Sequence, residues 1–308
     1  MWPAPDNPDV LNRMRTALRT ARAALDVQPD QDGHEVWGWR GRTLSQPVIG
    51  PYGPAWLRVA CAPASQADTT FWDSSLAAEK AIPRAVPRPR LRRHHDWNDE
   101  PWKYRAELYD RVAARPAATS SSLHTAPDLP ATWWAAVCSA LHHVATVATD
   151  RYTIEQEYLD QAMPRFLGTP ITTTAPTWTT AHGDFHFANL CAPTLHILDW
   201  EGWGLAPTGY DAATLYIYSL LVPTTATRIR RELAHILDTP TGHFAELAVI
   251  TEVLHSTTRG DHRDLAQPVR NRATLLLGRP VPLPAGPGTA GTAAFISTPD
   301  HNVEAGLP

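Results

Sequence analysis

The sequence predicts an α+β chain of two lobes, a small antiparallel β-rich N-terminal lobe and a larger, mostly helical C-terminal lobe. Three observations predict it. Short β-type runs separated by Gly- and Pro-containing turns fill the first third of the chain. Beyond Pro130 the apolar residues recur at three- and four-residue steps. The 308 residues, 43% of them apolar, are enough to bury two cores without a disulfide staple.

In chain order, residues 8–26 carry apolar side chains at helical spacing, and the Pro/Asp/Gln/Gly cluster at 28–33 ends that helix. Three β-type runs follow, Glu35–Trp39, Ser45–Ile49 and Ala55–Ala60, divided by turns that suggest an antiparallel meander. Residues 70–82 read as one helix closed by Pro83. From Pro83 to His95 the chain is rich in Pro and Arg and reads as an extended, solvated connector. Trp102–Val112 reads as the last strand of the small sheet, and 113–130 as a loose Ala/Pro/Thr/Ser stretch. Trp133, Val137, Leu141, Val144 and Val147 then mark a helix, continued in pattern by Tyr158–Phe166. A β-like pair, Trp178–His182 with Leu195–Leu198, brackets a polar loop, and helices are expected near 212–221, 226–237, 242–256 and 262–277. The expected domains are therefore 1–112, 113–278 and a Pro/Gly/Ala-rich tail, 279–308, expected to be flexible.

Composition narrows the function. A net charge of −4 gives no reason to expect nucleic acid or an anionic membrane as partner. All but two of the 27 basic residues are Arg, the exceptions being Lys80 and Lys103, which reads as the codon bias of a high-GC bacterial genome. Cys61, Cys138 and Cys191 form no C-x-x-C pair and leave one thiol over, as in a reducing compartment. The start opens on Pro and Asp without the charged and apolar regions of a signal peptide, and no apolar run approaches a membrane span. A cytoplasmic location is expected, and the oligomeric state is left open.

Residues 182–201 carry the chemistry. They read His182-Gly183-Asp184-Phe185-His186-Phe187-Ala188-Asn189, and an Asp at 199 ends an apolar run ten residues after the Asn. Phosphoryl transfer needs a carboxylate to accept the acceptor's hydroxyl proton and oxygen ligands to hold Mg²⁺ against nucleotide phosphates. Mg²⁺ takes few protein carboxylates and completes its shell with water and phosphate, which suits this set. The adjacent pairs His94-His95 and His142-His143 lack a nearby ligand set, so no metal is expected there.

On these residues the chain resembles the aminoglycoside phosphotransferase / choline kinase-like family of the protein-kinase-like fold. The resemblance rests on HGDFHFAN (182–189), LHILDWEGWG (195–204) and Thr208-Gly209-Tyr210-Asp211. Phe71-Trp72 and the pair Trp133-Trp134 match an actinobacterial set of such proteins. The strong motif spans about 30 residues, and the β-then-α order extends the likeness across 35–277. The resemblance implies that Asp184 is the catalytic base or hydroxyl-orienting group, that Asn189 and Asp199 bind Mg²⁺, and that His182 holds the loop by hydrogen bonds. His186 matches a histidine frequent at that place. Asp211 is read as the cap of its own helix, and Trp200 and Trp203 as packing.

On the nucleotide side, Arg58 stands on the third β-run where the family has a basic residue, with Glu79 as the expected partner. The turn Gly41-Arg42-Thr43-Leu44-Ser45 would cover phosphates through Gly41, Thr43 and Ser45, and strand 105–110 would offer backbone groups to adenine. The cofactors implied are Mg²⁺ and ATP, with GTP left open. The partners are a nucleoside triphosphate and a hydroxyl-bearing acceptor. The leading expectation is an ATP-dependent phosphotransferase acting on a small-molecule hydroxyl. Two alternatives stand beside it: a peptide or protein Ser/Thr kinase of a biosynthetic pathway, and a catalytically degenerate kinase-like binding protein. Glu232, Asp238, Glu246, Glu252, Asp261 and Asp264 are candidates for an acidic acceptor pocket, though scattered among arginines.

Overall fold

Asn7 starts the first element of the computed structural model, which describes residues 3–31, 33–66 and 72–282. Its side chain accepts from the Asp9 and Val10 N–H groups, Pro8 sits in the first turn, and helix α1 runs Pro8–Leu25. The helix ends where Asp26 turns left-handed at φ 53°. Met14, Ala17, Leu18, Ala21 and Leu25 form its buried stripe, the spacing of a one-faced helix. Burying side chains such as Met14 and Leu18 contributes about 1.5–3 kcal/mol each.

That stripe packs on one antiparallel sheet. Its strands are β1 (Gln28–Pro29), β2 (Val36–Trp37), β3 (Thr43–Gly50), β4 (Gly53–Pro63), β5 (Leu91–Asp99) and β6 (Trp102–Asp110), in the order β1-β3-β4-β6-β5 with β2 also on β3. The two-residue side-chain period decides the faces. Leu44, Val48, Leu57, Val59, Tyr104, Ala106 and Leu108 join α1 in one core. The alternate residues Arg58, Arg105, Glu107 and Tyr109 point the other way, where helix α2 (Ser74–Ala81) lies: Arg105 Nη1 donates to Trp72 O and to Asp73 at 2.9 Å.

Two expectations for this unit change. Part of the supposed connector, Leu91–Asp99, is an edge strand. Its Arg, His and Asp side chains face solvent, which hides the strand from an apolar pattern and discourages pairing with other chains. Strand β6 pairs on both sides, with β4 and with β5, so its backbone is engaged in the sheet and does not offer adenine the groups expected of 105–110.

The described residues divide into two compact units, those within 3–81 with 88–115 and those within 82–87 with 116–282. The second is helical: α3 (Ala131–Ala145), α4 (Gln156–Leu167), α5 (Tyr210–Ile217), α6 (Pro223–Glu232), α7 (Ala234–Leu237), α8 (Pro240–Thr258) and α9 (Ala266–Leu277). It holds a small ladder of β7 (Trp178–Ala181) on β8 (Gly204–Pro207). The expected partner of 178–182 was 195–198. That segment instead folds back on the polar loop, with Leu198 N–H on Asn189 O at 2.8 Å and Cys191 N–H on His196 O at 2.9 Å. Phe71 and the tail beyond 282 lie outside the described residues. No helix among the described residues is long and apolar enough to cross a membrane.

Buried polar groups tie the helices together. Glu246, fully buried, takes Arg230 Nη1 at 2.7 Å and Arg272 Nε at 2.6 Å, joining α6, α8 and α9. His255 on α8 faces the Tyr158 hydroxyl of α4 at 3.1 Å and stacks on Phe166. Burial, helped by the charges of Arg259 and Arg165, pulls the His255 pKa down to about 4. A folded value below the unfolded one means stability that is full above the ordinary imidazole range and lost as pH falls toward 4. Urea unfolding at about pH 7.5 and about pH 4.5 tests this: His255→Phe is expected to lose less stability on acidification than the wild type.

Candidate functional site

Strand β7 leads straight into His182, which is fully buried. The first two amides of the loop are claimed by one carboxylate: Asp211 accepts the His182 N–H at 2.7 Å and the Gly183 N–H at 3.0 Å. Asp211 therefore does not cap its own helix as expected. Helix α5 starts at Gly209 without a side-chain cap, and both Asp211 oxygens serve the loop. Burial pushes the Asp211 pKa up, while the His182 ring and the two N–H bonds pull against it. Gly183 has to be glycine: φ is 91°, and a Cβ would lie 2.7 Å from Gly202 O.

His182 then bridges two segments. Its Nδ1 accepts from the Asp184 N–H at 3.2 Å, so the ring hydrogen sits on Nε2 and is donated to Leu198 O at 2.8 Å. The edge-on Trp200 ring, 4.7 Å between centroids, fills the remaining space. Asp184 follows with a half-exposed carboxylate held from both sides, Asn189 Nδ2 donating to Oδ2 at 2.9 Å and His186 Nε2 facing Oδ1 at 3.0 Å. Burial opposes the charge on His186, but the charge and hydrogen bond of Asp184 outweigh it, and its pKa is raised. Phe187 carries the loop onto α3, stacking on Trp133, whose Nε1 donates to Cys191 O at 2.8 Å.

Asp199 lies on the adjoining turn in a left-handed conformation, φ 59°. Because Asn189 turns its Nδ2 to Asp184, its Oδ1 is left as an acceptor. Among the described residues no side chain hydrogen-bonds or pairs with the Asp199 carboxylate. Oxygen donors of this kind fit Mg²⁺. No group of three His, Cys, Asp or Glu able to hold a metal occurs among the described residues, so a cation here would complete its shell with water and phosphate oxygens.

In the sheet unit, register places Ser45, Arg58 and Glu107 opposite one another in one row. Arg58 Nη1 pairs with Glu107 Oε2 at 3.0 Å. The expected Arg58–Glu79 pair is corrected: Glu79 takes Arg88 Nη1 at 2.6 Å, Arg90 Nη2 and the Leu91 N–H, fastening α2 to the start of β5. Arg88 also donates to the Ala78 and Glu79 carbonyls, satisfying the end of the helix. Gly41 and Thr43 belong to the hairpin's own closure. A Cβ on Gly41 would come within 2.9 Å of Val10, and the Gly38 N–H bonds Thr43 O at 2.9 Å.

No protein-family model matches the sequence, and no curated protein matches it. Among solved structures the chain is similar to a thermostable mutant of the aminoglycoside phosphotransferase APH(4)-Ia, in a ternary complex with ADP and hygromycin B. The identity is 12% and the TM-score 0.57, over 84% of this chain and 97% of that one. It is also similar to a microcompartment-associated aminopropanol kinase, at 13% identity and TM-score 0.53, over 84% and 95% of the two chains. The chain has an α+β, protein-kinase-like fold.

Within that kinase-like fold the structure gathers His182, Asp184, Asn189 and Asp199 around one loop, and Ser45 with Arg58 on one sheet face. The roles of Glu107, Tyr109 and Arg88 and the grip of Asp211 on the loop emerge only from the structure. Alternation along β6 puts Glu107 and Tyr109 on the face of Arg58, but nothing local in the sequence shows which residue stands opposite. Five of the six candidate acidic-pocket residues, all but Asp261, are tied into other pairs: Glu246 and Asp238 to Arg230, Glu232 to Arg228, Asp264 to His124 and Glu252 to the Tyr210 hydroxyl.

Asp211→Ala leaves one buried and one part-buried N–H group without their acceptor, at about 1–3 kcal/mol each. The expected loss is about 2–5 kcal/mol in urea unfolding, with Asp211→Asn, which keeps one acceptor oxygen, in between. A wild-type unfolding curve for Asp211→Ala would contradict the anchoring role.

Proposed function

We propose that the protein is an ATP-dependent phosphotransferase that moves the γ-phosphate to a hydroxyl of a small molecule. The observation that carries this reading is the Asp184 carboxylate, half exposed and clamped between Asn189 and His186. A carboxylate held in one plane and open to solvent can accept from an incoming hydroxyl. The acceptor oxygen attacks the γ-phosphorus, its proton passes to Asp184, and the bond to the β–γ bridging oxygen breaks with its electron pair leaving on ADP.

Asn189 through Oδ1 and Asp199 through its carboxylate would hold Mg²⁺. When bound, the cation supplies neutralisation of the phosphate charge. His182 holds Asp184 through its backbone, and Arg58 with Ser45 would take phosphate oxygens, Arg being suited to paired contacts. The fold shared with a phosphotransferase seen with ADP is in keeping with this reading. A second reading, a degenerate kinase-like binding protein, is favoured by one observation: the Arg58 charge is already paired with Glu107.

Thermal unfolding with ATP and with GTP, each with and without Mg²⁺, separates the two when joined to a phosphate-transfer assay on aminoglycosides, amino alcohols and Ser/Thr peptides. Nucleotide at ~100 times its Kd is expected to add ~2.7 kcal/mol, a rise of roughly 5–10 °C. Asp199→Ala is expected to lose the Mg²⁺-dependent part of that rise. Asp184→Asn is expected to keep it while turnover falls by about a thousandfold or more. Binding without transfer to any acceptor would favour the degenerate reading, and full turnover in Asp184→Asn would refute the assigned base.

A further inference from the structure

We propose that Tyr218, the residue that follows helix α5, orients the acceptor hydroxyl against Asp184 through its own phenolic hydroxyl. The inference rests on the phosphotransferase reading above and adds to it a residue of the acceptor side.

A short chain of rings leads away from the Asp184 carboxylate. His186, 7% exposed, faces Asp184 Oδ1 through Nε2 at 3.0 Å. The Tyr218 ring lies 5.6 Å from the His186 ring, and the His262 ring meets Tyr218 edge-on at 5.2 Å, centroid to centroid. The Tyr218 backbone is fixed as well: its N–H donates to Thr214 O at 3.1 Å, and its carbonyl accepts the Leu123 N–H at 2.9 Å. His262 stands between α8 and α9 in a left-handed conformation, φ 47°, with the buried Ser122 hydroxyl 3.4 Å from its Nδ1. Such a backbone at a residue with a Cβ persists where the surroundings impose it, and it gathers at ligand sites.

The Tyr218 ring and backbone are engaged, but among the described residues its hydroxyl makes no hydrogen bond. Two neighbouring tyrosines differ: the Tyr210 hydroxyl donates to Glu252, and the Tyr158 hydroxyl lies 3.1 Å from His255 Nδ1. Tyr218 is half-buried, and a phenol withdrawn from water ordinarily has a partner, because leaving it without one costs stability. Burial, followed by the charge of Asp184, raises its pKa, so the hydroxyl keeps its proton and is a donor at neutral pH.

A donor beside Asp184 suits an alcohol. The acceptor oxygen that gives its proton to Asp184 still carries two lone pairs. One receives the Tyr218 O–H, and the other is directed at the γ-phosphorus. Holding the attacking oxygen by two contacts narrows its approach to the productive one. The ligand this arrangement fits is a small alcohol, bound through the hydroxyl that is phosphorylated.

The test uses the full-length protein with Mg²⁺–ATP and whichever amino alcohol, aminoglycoside or Ser/Thr peptide the wild type phosphorylates fastest. Tyr218→Phe removes the hydroxyl and keeps the ring. It is expected to lower the acceptor kcat/KM about tenfold and to leave the KM for Mg²⁺–ATP at the wild-type value. Its Tm is expected to equal or exceed that of the wild type, since the lost group has no hydrogen bond within the described chain. His262→Asn, which tolerates the left-handed backbone but removes the bracing ring, is expected to lower the same ratio by a smaller factor. Unchanged acceptor kcat/KM in Tyr218→Phe overturns the proposal and leaves the phosphotransferase reading standing. An equal loss toward Mg²⁺–ATP also overturns it. Failure of the wild type to transfer phosphate to any of these acceptors overturns both.

Discussion

Two hydrogen bonds to a single buried carboxylate organise the helical unit's site. Asp211 holds the amides of His182 and Gly183, and an ordinary side chain at 183 would collide with Gly202 and Thr153. Once those two residues are fixed, the His182 ring has one place to go, and its nitrogens connect the Asp184 amide to the Leu198 carbonyl. The loop carrying Asp184 and the turn carrying Asp199 thereby share one imidazole. Burying Asp211 is unfavourable in itself, as its raised pKa reflects. That cost is acceptable because removing the carboxylate would strand the two amides it accepts from.

The sheet unit follows the same physics. Its α1 face is apolar and close-packed, whereas its α2 face carries Arg58, Arg105, Glu107 and Tyr109 in alternate positions of the strands. Each charge on that face is partnered: Arg105 by Asp73 and Asp96, Arg58 by Glu107, Glu79 by Arg88 and Arg90. A face built of paired charges is less stabilising than an apolar one of equal area. It does place guanidinium groups at defined positions on a rigid sheet, which an apolar face cannot do.

What the sequence made legible follows the range of the interactions involved. Helix α1 was readable to within a residue because its cap, its proline and its apolar stripe are all local. The HGDFHFAN loop was readable because Asp184, His186 and Asn189 contact one another within five residues. Strand β5 was not, since an exposed edge carrying Arg92, Arg93, His94 and Asp96 has no alternation to detect. The partner of β7 and the partner of Arg58 were missed for a shared reason. Both depend on register between segments far apart in the chain, and one residue's slip in register exchanges one face of a strand for the other. The structural character of Asp211 is legible in the sequence but its target is not, because an acidic residue in the first turn of a helix has the same local signature whether it caps that helix or reaches a loop 28 residues earlier.

Asp199 is where stability and chemistry part. A left-handed backbone at a residue with a Cβ costs on the order of 1–2 kcal/mol, and glycine would avoid it. The turn is nonetheless held firmly on both sides: His182 bonds the Leu198 carbonyl and Trp200 Nε1 bonds the Ile197 carbonyl. These bonds fix the neighbouring peptides and none of them uses the Asp199 side chain. The carboxylate therefore adds no hydrogen bond or ion pair among the described residues to offset the strain of its backbone. A residue that is locally unfavourable, rigidly held and without a side-chain hydrogen bond or ion pair among the described residues is poorly explained by folding alone. It is well explained by a ligand that meets the carboxylate from outside the chain, which is what the proposed Mg²⁺–nucleotide role requires.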